Sequence, residues 1–547
     1  MNIRINGSSY NFENGETVLE VAKREGIKIP FLCNHPYLCV TGSCRLCIVK
    51  DKNCDEYFSA CSRQAEEGMD IVTGDRKIEQ IRRINLELLF SQHKEECHDC
   101  VWNPGCKLLS LAREYGVTIN RFTDRKDDYP ELSFGGIIDF DSSKCIDCRN
   151  CIEVCERQNV SFLEMKGRGH LFEVEPAKDR ACVYCGQCIL RCPAGSFEGV
   201  GEFEKVSDPI DKNGDKEIIF QIAPAARISI SEEFGLEPGT DSTGKLVSAL
   251  KEAGADKVFD VSVGADFTTH EEAEELIERI ESGENLPMLT SCCPAWVRFI
   301  EFYYPQFVDN LTTVRSPHII LGSLIKQELK GRREKVVVSV MPCVAKKYEI
   351  MREELKVGST RPVDYVLTVR EVGRLLRDKG VDFKNLPDSD FDNPFGEATG
   401  DGVGYGASGG VIQAAIREAH FILTGERSTE EIRDNEDFIL KIGDRKIKTK
   451  RASGLSEAVS LLEDVDYDYL EFMACPGGCI GGGGQPVPTT PEIRDKRREG
   501  LFRSGKKKKK RSSFDSDIVS KLKNKTEKDI LRTEFKKRKN PERIDRL

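Results

Sequence analysis

Long apolar runs are missing from this 547-residue chain. No segment approaches the roughly 20 consecutive apolar residues that a membrane-spanning helix needs, so we expect no membrane span. The opening residues, Met1–Gly7, also lack the basic stretch leading into an apolar one that marks a secretory signal. These two absences favour a cytoplasmic protein.

Cysteine, by contrast, is plentiful, with 22 in the chain. In a long chain expected in the cytoplasm, this number indicates metal clusters rather than disulfides. Single hydrophobic cores rarely grow past about 250–300 residues, so several domains are expected. The charge is uneven: residues 491–547 hold 22 Lys and Arg against 10 Asp and Glu, a net charge of +12, and residues 1–490 carry −22.

The first cysteine group has the spacing of a 2Fe–2S site with four thiolate ligands. Its members are Cys33, Cys44, Cys47 and Cys61. An alternating strand at Ile3–Gly7 and a helix at Val18–Glu25 precede them, which suggests a β-grasp domain. Cys39 offers a competing ligand in place of Cys33, and a structural disulfide is the remaining alternative.

The second group combines one imidazole with three thiols: His93, Cys97, Cys100 and Cys106. This spacing suits zinc or a 4Fe–4S cluster, and spacing alone does not choose between them. Ligand softness and the position between two other cluster segments favour iron. His98 competes with His93 as the imidazole ligand.

The third group is a repeated C-x2-C-x2-C-x3-C run typical of bacterial two-cluster ferredoxins, in which the fourth cysteine of each run ligates the other cluster. One cluster is therefore predicted on Cys145, Cys148, Cys151 and Cys192. The second is predicted on Cys182, Cys185, Cys188 and Cys155.

Three further cysteine segments each follow an apolar run that predicts a strand. They are Thr290–Trp296, Met341–Lys346 and Met473–Cys479, after runs at 286–289, 336–340 and 469–473. Ligands of open α/β sheets bind beyond the carboxyl ends of the parallel strands, so these segments should converge. They bring five thiols, one more than a cubane cluster needs.

These three segments, extended by Gly481–Pro486, resemble the signature motifs of the FeFe hydrogenases. The segments Phe31–Pro36 and Gly42–Cys47 resemble the 2Fe–2S module of complex I and its hydrogenase relatives. The resemblance runs from about residue 1 to residue 490, with the modules in the family's order. It implies an enzyme that interconverts H2 with two protons and two electrons.

The fold that this resemblance implies is an α/β catalytic domain of two lobes, each with a parallel sheet flanked by helices. A β-grasp 2Fe–2S domain, a small His/Cys cluster domain and a two-cluster ferredoxin-like α+β domain precede it. The expected bounds are 1–78, 79–120, 135–208 and 216–490, with a basic segment at 491–547 that resembles a diverged small-subunit-like wrap.

The resemblance also implies an H-cluster, which is a 4Fe–4S cubane joined to a diiron unit with CO, CN and a dithiolate amine. The cubane ligands by motif position are Cys293, Cys343, Cys475 and Cys479, and Cys479 also bridges to the diiron unit. The residues implied to face the diiron unit are Met341 and Met473 beside the dithiolate, Lys346 on a cyanide, Ala223 and Pro224 near diatomic ligands, and His318 where glutamine is common near a CO.

The surplus thiol, Cys292, is implied to exchange protons with the amine. From it the family's relay passes to Glu272, Thr312 and Glu275, with threonine where a serine is usual. Glu272 and Glu275 are three residues apart on the helix predicted at Glu271–Arg279, hence on one face. Without the resemblance, this acidic helix would be interpreted as a solvated face.

The implied cofactors are one 2Fe–2S cluster, three 4Fe–4S clusters in the relay, and the H-cluster. Gly404–Gly409 spells G-x-G-x-x-G, but no buried strand precedes it, so no dinucleotide site is predicted. Electrons must therefore reach a partner, either ferredoxin or NAD(P)H-oxidising flavoprotein and 2Fe–2S subunits. Maturation proteins for the diiron site are also implied, and no nucleic acid is expected.

Two other function classes compete: a hydrogenase-like assembly protein without H2 activity, and an H2 sensor. Cys292, Lys346 and the two methionines argue against the first, and the short charged tail argues against the second. That tail contains the basic run Lys506–Arg511, with Ser512-Ser-Phe where the family has Ser-His-Glu. The run is interpreted as a solubilising end, and the alternative is a flexible basic arm that meets an acidic partner or nucleic acid. Cys39 and Cys54 receive no role.

Overall fold

A computed structural model describes most of the chain. The described residues are 1–95, 97, 100, 102, 105–117, 121–122, 130–167, 172–211, 216–329, 331–392, 394–428, 438–442, 445–463, 466–522, 528–538 and 544–546. The competing imidazole His98 lies outside them. Within these ranges no helix combines the length and the apolar character required to cross a membrane.

The first domain is a five-stranded mixed sheet with one helix packed on it. Its elements are β1 (Asn2–Ile5), β2 (Ser8–Asn11), α1 (Val18–Arg24), β3 (Ile48–Asp51), β4 (Glu56–Ser59) and β5 (Asp70–Val72), in the sheet order β2-β1-β5-β3-β4. Helix α1 starts where predicted because Thr17 and Glu20 form a capping box that satisfies two free backbone N–H groups. Its apolar face, including Val18 and Val21, is buried in the domain core.

Short helices and strands carry the next two cysteine groups. The elements are α2 (Arg76–Phe90), α3 (Lys107–Tyr115), β6 (Glu131–Phe134), β7 (Ile138–Asp141), α4 (Asn150–Arg157), β8 (Leu163–Lys166), β9 (Glu173–Pro176), α5 (Gln187–Arg191) and β10 (Phe197–Gly199). Helix α4 contains Cys151 and Cys155 of the first repeated run, and α5 contains Cys188 of the second; Cys151 and Cys188 are each the second residue of their helix. The repeat in sequence is therefore a repeat in structure.

Two sheets form the frame of the catalytic region. Its elements are α6 (Phe203–Asp211), β11 (Lys216–Ile222), α7 (Pro224–Ser229), α8 (Thr243–Glu252), β12 (Lys257–Asp260), α9 (Ser262–Ser282), β13 (Met288–Leu289), α10 (Pro294–Tyr303), α11 (Pro317–Glu328), β14 (Glu334–Met341), α12 (Ala345–Glu349), β15 (Tyr365–Thr368), α13 (Val369–Asp378), α14 (Gly400–Gly404), α15 (Gly410–Thr424), β16 (Phe438–Ile442), β17 (Arg445–Ser453), α16 (Leu455–Leu462) and β18 (Tyr469–Met473).

The first sheet is parallel throughout, in the order β12-β11-β14-β15. The second has the order β13-β18-β17-β16, in which β16 pairs antiparallel with β17 at the edge. Strands β14 and β18 match the predicted apolar runs closely, whereas β13 is only two residues long. All three strands lead directly into the cysteine segments.

The basic carboxyl-terminal segment packs on the catalytic region, which corrects its interpretation as a solubilising end. It contains α17 (Pro491–Lys506), α18 (Asp517–Leu522), α19 (Lys528–Leu531) and β19 (Ile544–Arg546), which pairs with β6. The guanidinium of Arg497 is fully buried against Glu232, and Ser513 donates a hydrogen bond to Glu418. Composition suggested a solvated tail because a positive net charge does not reveal which cations have buried carboxylate partners.

Candidate active site

An apolar cavity lies where the strand ends of the two sheets meet. Its lining includes Cys292 and Cys293 after β13, Met341 at the end of β14 with Cys343 beyond it, and Met473 at the end of β18 with Cys479 beyond it. Ala223 and Pro224, between β11 and α7, form another part of the wall, together with His318, Lys346 and Tyr405. The structure thus brings together the predicted residues from every motif of the catalytic region.

The five thiols of the three motifs lie close to one another, with Cys343 and Cys475 buried and Cys292, Cys293 and Cys479 partly buried. Burial raises the pKa of Cys475, and the neighbouring thiols Cys343, Cys185, Cys293 and Cys479 raise it further. The predicted cubane ligands are Cys293, Cys343, Cys475 and Cys479, whereas Cys185 belongs to the ferredoxin-like group. Such a concentration of buried thiols without disulfides is the donor set that an iron–sulfur cluster requires.

Lys346 is held beside the cavity by a buried carboxylate. Its Nζ donates to Glu349 Oε2 at 2.7 Å and to the Cys292 carbonyl at 3.1 Å. Burial alone would lower the pKa of Lys346, but the ion pair with Glu349 outweighs this and raises it. An ammonium has three N–H donors, so one remains for an acceptor in the cavity.

His318 reaches the cavity wall, but both of its ring nitrogens bond to protein. Nε2 lies 2.6 Å from Glu349 Oε2, and Nδ1 lies 3.1 Å from Ser339 Oγ. The Ser339 oxygen accepts from Gln221 Nε2, and with the His318 proton on Nε2, facing the Glu349 carboxylate, Nδ1 is an acceptor for the Ser339 hydroxyl. This pattern fits a neutral imidazole with the proton on Nε2, and burial lowers the pKa of His318 in agreement.

Two buried acids stand at the start of the predicted proton relay. Burial raises the pKa of the Cys292 thiol well above its usual range, and the nearby Glu272 carboxylate raises it further. Burial likewise raises the pKa of Glu272 to about 8, with a contribution from Glu275. Glu272 Oε2 accepts from the Tyr469 hydroxyl at 3.3 Å, while its buried Oε1 has no hydrogen-bond partner among the described residues.

Glu275 is surrounded by donors. Its Oε2 accepts from the hydroxyls of Thr312 at 2.9 Å and Thr313 at 2.8 Å. Its Oε1 accepts from Arg279 Nη2 at 2.5 Å. Between Glu272 and Thr312, both of them described, no direct hydrogen bond is present. Of the three contacts in the predicted relay, the one from Thr312 to Glu275 is a direct hydrogen bond. Among these described residues, the contacts from Cys292 to Glu272 and from Glu272 to Thr312 are not.

Several residues of this site were not predicted from the sequence. Glu349 and Arg279 could have been found, because each is one helical turn from a predicted residue, at i+3 from Lys346 and i+4 from Glu275. Tyr469 and Thr313 carry no such signal. Their approach to Glu272 and Glu275 depends on how β18 and the loop after residue 310 pack against α9.

The first cysteine group is buried as a set, whereas its competitor is not. Cys33, Cys44, Cys47 and Cys61 are each at most 3% exposed, and the sulfurs of Cys33 and Cys44 are 3.4 Å apart. Cys39 is exposed, and its backbone N–H donates to Glu153. The geometry therefore favours Cys33 over Cys39 as the ligand.

His93 has the orientation expected of a metal-binding imidazole. Its Nδ1 lies 2.8 Å from the carbonyl oxygen of Lys144, which can only accept, so the proton resides on Nδ1. A metal-ligating histidine commonly donates its other ring N–H to a backbone carbonyl in this way, which fixes its tautomer. The thiols of Cys100 and Cys106 are largely buried, and burial raises the pKa of each.

In the two ferredoxin-like runs, the last cysteine of each run lies near thiols of the other run. Burial raises the pKa of Cys145, and among neighbouring thiols Cys148 and Cys192 raise it further. The pKa of Cys188 is raised by burial and then by the other set, Cys185, Cys182 and Cys155. The fourth cysteine of each run is thus the neighbour of the other run's thiols.

The cysteine groups adjoin one another through the protein. Burial and Cys192 raise the pKa of Cys148, and Cys33 of the first group raises it further. Burial raises the pKa of Cys106, and Cys192 contributes to this increase. At the other end, the Cys475 sulfur lies 3.7 Å from the Cys185 carbonyl oxygen. Both amino-terminal groups therefore meet the first ferredoxin-like set, and the second set meets the catalytic cavity.

Comparison with protein-family models agrees with this division. Residues 216–483 match the iron only hydrogenase large subunit, C-terminal domain. Residues 1–76 match a 2Fe-2S iron-sulfur cluster binding domain, and residues 144–196 match a 4Fe-4S dicluster domain. Residues 82–121 match the NADH-ubiquinone oxidoreductase-G iron-sulfur binding region, which supports iron rather than zinc at the His93 group.

Similar proteins extend the likeness over nearly the full length. The chain is 36% identical to the NADP-reducing hydrogenase subunit HndD of Solidesulfovibrio fructosivorans, over 95% of both chains. It is 32% identical to iron hydrogenase 1 of Clostridium pasteurianum, over 88% of each. The structure of the apo [FeFe]-hydrogenase HydA1 of Chlamydomonas reinhardtii matches with a TM-score of 0.56 and 30% identity, covering 62% of this chain and all of that one.

Proposed function

Because the chain belongs to the iron-only hydrogenase family, we propose specific roles for its own residues in that family's reaction. The chain is an oxidoreductase that interconverts H2 with protons and electrons, and iron–sulfur clusters relay the electrons. The single observation that carries the proposed roles is the apolar cavity between the two sheets. It gathers thiols, an ammonium group and two thioethers without any side chain filling its centre.

The residues present fit an H-cluster. Cys293, Cys343, Cys475 and Cys479 would hold the cubane, and Cys479 would also reach the diiron unit. Met341 and Met473 would pack against the unit, with Ala223 and Pro224 opposite. When bound, the group supplies the iron site at which the H–H bond breaks or forms. The apolar lining excludes water from that site, which strengthens each polar contact made there.

Lys346 orients the cofactor through its remaining N–H, because an ammonium in an apolar cavity makes a charge-assisted hydrogen bond to an anionic ligand. Glu349 holds Lys346 in place and keeps it charged. His318 supports Glu349 from the other side and does not itself donate to the cofactor. This assignment replaces the expected tuning of a CO ligand by an ionisable imidazole at His318.

Cys292 and Glu272 carry the proton between the cavity and the outer part of the relay. A buried thiol with a raised pKa stays protonated, so it can give and regain a proton in turn. Glu272, with a pKa of about 8, is poised near neutral pH, where an acid–base group transfers protons most efficiently. Rotation of its unpartnered Oε1 toward Thr312 would form the missing hydrogen bond between Glu272 and Thr312, through which the proton would pass to Glu275.

Electrons move in parallel through the cysteine groups. We propose one 2Fe–2S cluster on the Cys33 set, one 4Fe–4S cluster on the His93 set and two on the ferredoxin-like sets. The adjacency of these sets gives a path that branches at the amino end. The Cys475 sulfur lies 3.7 Å from the Cys185 carbonyl oxygen, so electrons would pass from the second ferredoxin-like set to the cubane at this point.

The electron partner is proposed to be a set of NAD(P)H-oxidising flavoprotein and 2Fe–2S subunits. The likeness to an NADP-reducing hydrogenase subunit and to a complex I iron–sulfur region supports it over ferredoxin. A cytoplasmic location, where NAD(P)H is available, belongs to the same proposal, as do maturation proteins for the diiron unit. Reconstitution with such subunits should give H2-dependent NADP⁺ reduction; reduction of ferredoxin alone would favour the other partner.

A matched pair of lysine variants tests the cavity assignment. Lys346→Met should lose the infrared CO and CN bands of the diiron unit and at least about 100-fold of H2 turnover. Lys347→Met is the control, because Lys347 is equally buried but bonds to Val366 and Glu371, outside the cavity lining. Full bands and turnover in Lys346→Met would contradict the role of Lys346.

A further inference from the structure

The carboxyl-terminal segment contributes one cation to the outer end of the proton relay. Arg532 follows α19, and its Nε donates to Glu271 Oε2 at 2.9 Å. Its Nη1 lies 3.8 Å from Glu275 Oε2 and 3.8 Å from Glu278 Oε2. These three glutamates are four and three residues apart on α9, so they form one stripe on the helix.

The stripe runs from the protein interior to the surface. The side chain of Glu275 is 5% exposed, that of Glu271 is 11% exposed and that of Glu278 is 67% exposed. The guanidinium of Arg532 bridges the three carboxylates at intermediate depth. A proton that reaches Glu275 thus has acceptors leading outward, all arranged around one cation.

Backbone contacts fix Arg532 at this position. The Arg315 N–H donates to the Leu531 carbonyl at 2.8 Å, and the Thr533 N–H donates to the Thr313 carbonyl at 2.7 Å. Arg315 Nε also donates to the Arg532 carbonyl at 3.0 Å. The tail is therefore hydrogen-bonded to the same loop whose Thr312 and Thr313 bond to Glu275. A shift of the tail would move the relay.

We propose that Arg532 is a positioning residue of the proton exit, which aligns Glu275, Glu271 and Glu278 as a path to solvent. The inference rests on the proposed relay and goes beyond it by giving the basic tail a part in the reaction. Only protons move along this path, and Arg532 keeps its own charge throughout.

The charges around Arg532 decide what its loss would do. From α9, Glu271, Glu275 and Glu278 face it, and Arg279 shares Glu275. From the loop before α11, Arg315 lies against its backbone, and Asp529 of α19 acts on Arg315. Removing the Arg532 charge takes away a cation that faces all three carboxylates, and loss of a neighbouring cation favours the protonated form of a carboxyl group.

The test is the pH profile of H2 oxidation with a viologen acceptor, measured on the matured holoenzyme. Arg532→Gln should move the acid limb to higher pH by about half a unit to one unit, since proton release then requires a lower proton concentration. Arg538→Gln is the control. Arg538 lies in the same segment and also pairs with two glutamates, Glu301 and Glu354, which are not part of the relay.

The outcomes distinguish a failure of the proposed function from a failure of the role of Arg532. An inactive wild-type holoenzyme would contradict the proposed function itself. An active wild type whose profile coincides with that of Arg532→Gln would overturn the role of Arg532 alone. If Arg532→Gln does not retain its iron, Arg532→Lys decides: a smaller shift in the same direction supports the proposal, and an unshifted profile rejects it.

Discussion

The thiol of Cys292 illustrates how one residue can differ in role from its neighbour in sequence. Cys292 and Cys293 both line the cavity, but Cys293 with Cys343, Cys475 and Cys479 already provides the four thiols of a cubane. Burial and the nearby Glu272 keep Cys292 protonated. We therefore propose that Cys292 is the proton donor and that Cys293 binds iron.

Cys292→Ser should reduce H2 turnover by at least about 100-fold with all iron retained, because a hydroxyl is far less acidic than a thiol. Turnover and iron content are measured on the same anaerobic preparation. Cys54→Ser, at an exposed cysteine, is the control. Turnover unchanged in Cys292→Ser would remove this residue from the relay.

The raised pKa of Glu272 leads to a second prediction, which concerns how the stability of the folded protein depends on pH. Its folded pKa of about 8 lies above the ordinary value of 4.5, so the folded state holds this proton more tightly than the unfolded state. The resulting stability is complete below about pH 4.5 and is lost as the pH rises through 8. Glu272→Gln should therefore show a shallower fall in Tm between pH 5 and 8.5 than the wild type.

Anaerobic thermal unfolding, followed by cluster absorbance, measures this difference. Glu281→Gln on the same helix is the control, because Glu281 is exposed to solvent. A slope in Glu272→Gln equal to that of the wild type would mean that Glu272 is ionised in the folded protein at neutral pH.

At the scale of elements, the sequence predicted those whose signal is local. The capping box of α1, the apolar runs of β14 and β18 and the ferredoxin spacings each depend on residues close together in the chain. The helix predicted at Glu271–Arg279 is in fact α9, from Ser262 to Ser282. Its acidic face is largely buried, which depends on packing against α11, α15 and the tail and has no local signature.

Helix α17 shows most clearly what composition could not predict. Arg497 donates to both oxygens of Glu232, to the carbonyls of Ile480 and Pro486 and to Thr489. It thereby joins the tail to the loop that follows the third cysteine motif. Burial raises the pKa of Glu232 while Arg497 opposes this, as expected for a buried ion pair.

Arg497→Ala should lower the free energy of unfolding by about 3–5 kcal/mol, because it leaves the Glu232 charge buried and unpaired. Lys496→Ala, one residue away, removes a solvent-exposed pair with Glu237 and should cost less than about 1 kcal/mol. Denaturant unfolding of the two variants, compared with the wild type, measures both. Equal effects would show that the Arg497 pair does not anchor the tail.

At the scale of the whole molecule, two pathways converge on one cavity. Cysteine groups lead to it from the amino end, and acidic side chains of α9 lead away from it beneath the carboxyl-terminal segment. The family resemblance implies both pathways, whereas the part that we propose for the tail rests on contacts seen in the structure. We propose that electrons and protons reach the site by separate routes, because electrons move between clusters and protons move between hydrogen-bonding groups.

Oxygen should inactivate the enzyme irreversibly, because a cavity that admits H2 also admits O2 to the same open iron site. We expect turnover and the CO and CN bands to disappear together on exposure to air. A sample kept under nitrogen for the same time is the control. Activity that survives prolonged aeration would contradict an open diiron site in this cavity.

The most direct measurement of the central claim is H2 evolution from reduced methyl viologen, with protein prepared anaerobically with and without the diiron maturation proteins. The account predicts rapid evolution from the matured protein and none from the protein that carries only iron–sulfur clusters. No evolution from matured protein with complete iron and with CO and CN bands would contradict the account. It would favour a sensing role for this chain.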